Sequence, residues 1–151
     1  MIFIQSELNL SGSSRSLEAL FKLLNPSKVI TFNSDPLFDY LPIKKIRGGK
    51  ITRNYKSIYY FLLGFFTTFK ELYSKKDEVI LINSLISTQW LFSSILLKRR
   101  LGPVIIIVRE NELTYNKFFY NVHTVLANLC ASRLVFVSEK VVNSNFDSNK
   151  V

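Results

Sequence analysis

Two stretches of this chain hold residues that could act on a ligand. Residues 9–24 read NLSGSSRSLEALFKLL, so Ser11, Gly12, Ser13, Ser14 and Arg15 open a helical pattern with small and polar side chains. Small side chains let the backbone come close, and amides at a helix N-terminus point at phosphate or hydroxyl oxygens. Residues 109–114, RENELT, follow an unbroken aliphatic run. Arg109 can pair with phosphate or with Glu110, and Glu110 can take a proton or a hydrogen bond from a sugar hydroxyl. Plainer readings stand beside both. Ser13 or Ser14, with Glu18 nearby, would cap a helix without holding anything. RENELT would equally serve as a solvated loop in which Asn111 or Thr114 caps the next helix.

Other chemistries are poorly supplied. The first stretch has neither the glycine spacing of a dinucleotide fingerprint nor the Lys-Ser/Thr pair of a Walker loop. His123 is the single histidine, offset from the apolar stripe of a helical pattern, and reads as a surface or boundary residue rather than a catalytic base. One histidine and one cysteine give no expectation of a metal site or of a Ser-His-Asp triad. Cys130 lies in the apolar LANLCAS and reads as a small buried hydrophobe, and a lone cysteine suits a reducing compartment.

The elements that must position these residues are legible as apolar runs. Ile2–Ile4, Val29–Phe32, Val79–Ile82, Val104–Val108 and Leu134–Val137 are continuously apolar and rich in β-branched or aromatic residues. Runs that do not alternate are expected to be strands of a parallel sheet covered on both faces. PIKKIR at 42–47 is a weaker candidate whose lysines suggest an edge strand. Helical spacing relates Leu17, Leu20, Phe21 and Leu24; then Leu91, Phe92, Ile95 and Leu96; then Tyr115, Phe118, Phe119, Val122, Leu126 and Leu129. Asn25-Pro26 closes the first pattern; Lys98, Arg99, Arg100, Gly102 and Pro103 close the second. The alternation predicts an α/β, Rossmann-like, doubly wound and mainly parallel sheet of about six strands with helices on both faces. Ligands then bind beyond the strands' carboxyl ends, which selects Ser6–Arg15, Asn83 and Ser84 in NSLIST, Arg109 and Glu110, and the turn from Ser138.

Length and composition suit one globular domain over residues 1–142, followed by a polar tail or linker at 143–151. The formal charge of +9 favours acidic partners. Residues 53–76, RNYKSIYYFLLGFFTTFKELYSKK, form an aromatic segment flanked by Arg53, Lys56, Lys70, Lys75 and Lys76. Such a helix either dips into an anionic membrane surface or is buried between the sheet and its neighbours. Its apolar centre falls short of the ~20 residues a membrane span needs. No charged n-region and cleavage site mark a signal peptide at the start, so a cytoplasmic protein is expected, peripheral at the inner face of the cell membrane if the segment docks there. Nucleic-acid binding has only the net charge behind it, because base stacking needs exposed aromatics in a groove. A regulatory receiver domain would want an acidic cluster after the first strand, where Glu7 stands alone.

The opening strand with SGSSRSLEAL, followed by DEVILINSL, GPVIIIVRENE and ASRLVFVSEKV, resembles the N-terminal half of glycosyltransferases of the GT-B architecture. Within that architecture the stretches are similar to those of the retaining family that builds polysaccharides and lipid-linked glycans. The resemblance runs from Ile2 to about Val142. It implies a domain that holds a glycan or lipid-linked acceptor through Ser11, Gly12, Ser13, Asn83, Ser84, Arg109 and Glu110. Glu110 is the implied catalytic candidate, although many relatives place a His-Glu pair where this chain has Arg109-Glu110. The resemblance puts the nucleotide-sugar donor on a C-terminal domain for which 151 residues leave no room, so this domain is expected to bind no cofactor itself. The rival class is a non-catalytic module that docks on a membrane surface or a partner.

Overall fold

The computed structural model describes residues 1–5, 7, 8, 12–31, 33, 34, 36–45, 55–73, 75, 77–85, 87, 88, 95, 101–109, 117–138, 141 and 145–151. The strands are β1 (Ile2–Ile4), β2 (Glu7–Leu8), β3 (Lys28–Thr31), β4 (Asn33–Ser34), β5 (Ile43–Lys45), β6 (Ile80–Ile82), β7 (Val104–Val108) and β8 (Arg133–Phe136). The helices are α1 (Gly12–Leu24), α2 (Tyr55–Tyr73) and α3 (Lys117–Cys130).

Six strands form one all-parallel sheet in the order β5-β3-β1-β6-β7-β8. This is a Rossmann-like α/β fold, as the continuous apolar runs require. The central strands β1 and β6 have buried side chains throughout. Edge strand β5 carries Lys44 and Lys45 exposed, as expected of an edge. Two-residue strands β2 and β4 pair in parallel beyond the ends of β1 and β3, a lip that the sequence pattern did not predict.

Side chains alternate across the sheet, so each strand feeds two cores. On one face, Ile2, Ile4, Ile30, Ile80, Ile82, Val104, Ile106 and Leu134 pack with Leu72 of α2 and with Tyr120, Ala127 and Cys130 of α3. On the other, Phe3, Val29 and Leu81 pack with Phe21 of α1 and with Phe38. Phe21 meets Phe3 edge-on at a centroid distance of 4.7 Å. Asn25 ends α1 at φ 40°, in the left-handed region that asparagine tolerates, and its N–H bonds to the Phe21 carbonyl at 2.9 Å. Glu71 of α2 ties the helix to the sheet through Lys28 of β3 at 2.7 Å and Lys44 of β5 at 3.5 Å.

Four expectations need correction. Among the described residues, β7 and β8 are less covered on one face: Ile105 and Ile107 pack half-buried at the margin of the α1 core, and Val135 is exposed. Helix α3 turns a different side to the sheet than its apolar spacing suggests. Leu126 is buried as expected, but Phe118, Val122 and Leu129 are exposed, while Tyr120, Thr124, Ala127 and Cys130 face inward. Gly102 has no positive φ; a Cβ there would lie 2.7 Å from the Glu78 carbonyl oxygen, so glycine serves close backbone approach, not a helix stop. Residues 145–151 are no frayed tail. Phe146 is buried against Phe136 at 4.9 Å and Tyr120 at 6.5 Å, and Asn128 of α3 holds the Asn145 carbonyl and the Asp147 N–H. Of the second predicted helix, Ile95 is helical and packs on the α2–α3 core; Leu91, Phe92 and Leu96 lie outside the described residues.

Candidate functional site at the switch point

Neighbouring strands β1 and β6 send their connections in opposite directions, β1 toward β3 and β6 toward β7. Between two such strand ends a parallel sheet leaves a crevice, the usual ligand position in these folds. The residue after each strand is polar: Gln5 after β1, Asn83 after β6 and Arg109 after β7. They join into one chain of hydrogen bonds. Arg109 Nε donates to Asn83 Oδ1 at 2.9 Å, and Asn83 Nδ2 donates to Gln5 Oε1 at 3.1 Å. Arginine only donates, so Asn83 must turn its oxygen to Arg109 and its nitrogen to Gln5. The backbone continues the order, with the Gln5 N–H on the Ile30 carbonyl at 3.0 Å and the Asn83 N–H on the Ile4 carbonyl at 3.3 Å.

Asn83 is 1% exposed and Gln5 9%, whereas Arg109 is half-buried. Two linked, buried amides thus form a floor, and a permanent cation lies at its margin with its guanidinium oriented through Nε. That arrangement suits binding and orienting of an anionic or hydroxyl-rich group; it supplies no proton. Ser84 is buried beside Asn83, and the turn continues through Ser87, whose N–H bonds to the Ser84 carbonyl at 3.1 Å.

Thr88, fully buried, locks this turn to α3. Its Oγ1 donates to the Leu85 carbonyl at 2.6 Å and lies 3.0 Å from His123 Nδ1. The hydroxyl has one proton, given to Leu85, so His123 Nδ1 is assigned as the donor to Thr88. Burial pushes the His123 pKa down to about 4. The boundary position expected of His123 is correct; its role as the pin between turn and helix is not visible in sequence.

Among the expected acceptor residues, Asn83 and Arg109 are bonded to each other, and Ser84 adjoins them. Gly12 and Ser13 begin α1, which leaves the same rim of the sheet; helix α1 starts at Gly12, so Ser13 and Ser14 lie in its first turn instead of capping it. Ser11 and Glu110 lie outside the described residues. Of the expected membrane cations, Lys70 is exposed on α2, while Lys75 pairs with Glu78 at 3.2 Å on the opposite rim. Lys56 lies in the first turn of α2; Arg53 and Lys76 are outside the described residues. Gln5 is hidden in the sequence as the end of the strand run MIFIQ; the signal for it is a polar residue at a strand's carboxyl end. Among the described residues no group of His, Cys, Asp and Glu could hold a metal ion, and no helix is long and apolar enough to cross a membrane.

The fold and rim together define an α/β protein with a Rossmann-like sheet and a polar, arginine-bearing cluster at its switch point. No family model and no curated protein matches the chain.

Proposed function

We propose that the chain is the acceptor-side domain of a glycosyltransferase of the two-domain, GT-B kind. The full reaction moves a sugar from a nucleotide-sugar onto a glycan or lipid-linked acceptor, with the donor held by a second domain or subunit. The observation that carries this reading is the Gln5–Asn83–Arg109 chain at the switch point, on the rim from which α1 also starts. The buried amides hold the guanidinium in place, and a guanidinium suits the phosphate of a lipid-linked sugar. Catalysis would rest on positioning and on stabilising the leaving diphosphate. Work on a lipid-linked acceptor would place the protein at the cytoplasmic face of a membrane.

The test is a titration of the chain with a short oligosaccharide, a polyprenyl-phosphate-linked sugar and a nucleotide-sugar, followed by side-chain amide NMR. Acceptors should shift the Asn83 and Gln5 amide signals and lose affinity in Arg109→Ala, and the nucleotide-sugar should do neither. The chain alone should transfer no sugar. A nucleotide-sugar that binds this rim, or robust transfer by these residues alone, would overturn the reading.

A further inference from the structure

We infer that the helical layer made by α2 and α3 is a docking face for an anionic lipid bilayer. The inference rests on the membrane placement just proposed and adds to it the surface and the lipid chemistry.

Both helices pack on the same face of the sheet, since Leu72 and Phe69 of α2 share one core with Tyr120 and Ala127 of α3. Their outer sides therefore look away from the sheet together. A helix covering a globular core normally turns polar residues outward. Here α2 exposes Tyr59, Leu62, Phe66 and Tyr73, and α3 exposes Phe118, Val122, Val125 and Leu129, each set at helical spacing. Phe66 and Phe118 are 64% and 68% exposed, so these rings are not core residues glimpsed at an edge.

Among the described residues of α2 and α3 themselves, the outward charge is basic. Lys70 and Lys117 are exposed, and the only acid in either helix, Glu71, is turned inward onto Lys28 and Lys44. Helix α1, on the opposite face, is different: its Glu18 and Lys22 form an exposed pair at 2.9 Å, mixing both signs. Two helices that expose tyrosine, phenylalanine and aliphatic side chains with lysines, and turn no acid of their own outward, complement an anionic bilayer in both respects. Rings enter the headgroup boundary while lysines meet lipid phosphates. The net charge of +9 assists the approach. Neither helix can span the bilayer, so both lie along it.

The experiment is co-sedimentation of the chain with vesicles of phosphatidylcholine alone or with about one-third phosphatidylglycerol, at low and high salt. Binding is expected to the anionic vesicles at low salt, and should weaken as salt rises. Phe66→Asp combined with Phe118→Asp should reduce partition by roughly tenfold or more. Lys70→Gln with Lys117→Gln should reduce it by about fivefold per lysine. Leu23→Asp, at an exposed position of α1, should leave it unchanged. Circular dichroism and the urea midpoint verify that each variant is folded. Absence of binding to anionic vesicles at low salt overturns the inference, as does equal sensitivity to Leu23→Asp. A concentration-dependent dimer abolished by the aspartates, without vesicle binding, would assign the face to a second copy instead. The acceptor titration uses no vesicles, so its failure is separate from failure here.

Discussion

Arg109 and Asn83 follow adjacent strands and are joined by a 2.9 Å hydrogen bond from Nε to Oδ1, with Gln5 completing the chain behind Asn83. The bond does two things at once. It satisfies a buried amide oxygen, and it orients the guanidinium at the switch point. Asn83→Ala removes the middle member and strands a donor on one side and an acceptor on the other. The expected cost is about 1–3 kcal/mol, the desolvation of groups left unpaired. Arg109→Lys keeps the charge but cannot reproduce the Nε geometry. It should lower stability by up to about 1–3 kcal/mol, because the buried Asn83 oxygen loses its donor, and lower acceptor affinity by roughly tenfold, about 1.4 kcal/mol. Urea unfolding and calorimetric titration, run on both variants, separate the two effects.

Gly102 sits where the turn before β7 passes the turn before β6. A Cβ at this position would meet the Glu78 carbonyl oxygen at 2.7 Å, its carbon at 2.9 Å and the Asp77 oxygen at 3.0 Å. All three are backbone atoms, so no side-chain rotation relieves the clash. Gly102→Ala should therefore destabilise by about 1–3 kcal/mol, the usual range for overpacking. Alanine in place of an ordinary loop glycine would instead stabilise slightly. The sign of the change in urea midpoint decides between close approach and mere flexibility.

Phe146 anchors the C-terminal segment against Tyr120 and Phe136, and Asn128 clamps the backbone on either side of it. Phe146→Ala should cost about 3 kcal/mol, as expected for a buried ring replaced by a cavity. Asn128→Ala should cost less, but it should raise amide exchange and protease cleavage within 145–151 selectively. Mass spectrometry of timed digests checks this. If cleavage in that segment is already as fast in the unaltered protein as in the variant, the clamp is without effect.

The sheet was legible in the sequence because parallel strands buried in the middle of a domain need apolar residues on both sides. Ile2–Ile4 and Ile80–Ile82 show this pattern without ambiguity. The orientation of α3 was not legible, for an equally physical reason. Phe118, Val122 and Leu129 repeat at helical spacing as well as the truly buried set does, and the sheet-facing side uses small residues such as Thr124 and Ala127. Spacing cannot tell a core stripe from an outward apolar one. Asn83 and Arg109 could be proposed singly from their positions at strand ends. Their pairing could not, because it depends on β6 and β7 being neighbours. Gln5 belongs to the site only because β1 lies beside β6, seventy-odd residues away in the chain.

His123 makes stability depend on pH in a defined window. Its ring is neutral in the folded protein, with the pKa lowered by burial from 6.5 to about 4. Between those values the unfolded chain binds a proton that the folded chain refuses, so folding stability rises with pH. The contribution is complete above about pH 6.5 and lost progressively toward pH 4, amounting to about 3 kcal/mol at about 1.4 kcal/mol per pH unit. Glu78 acts in a lower window. Bonding to Ser27 first, then to the Met1 ammonium and Lys75, holds its pKa down to about 2, so its share is lost only as pH falls below the ordinary 4.5. Unfolding free energies of the unaltered protein and of His123→Asn should therefore diverge in slope between pH 6.5 and 4.5 and run parallel above pH 7. Asparagine keeps a donor for Thr88 without a titrating group. A profile of the same slope in both proteins over that window would show that His123 does not carry the acid sensitivity.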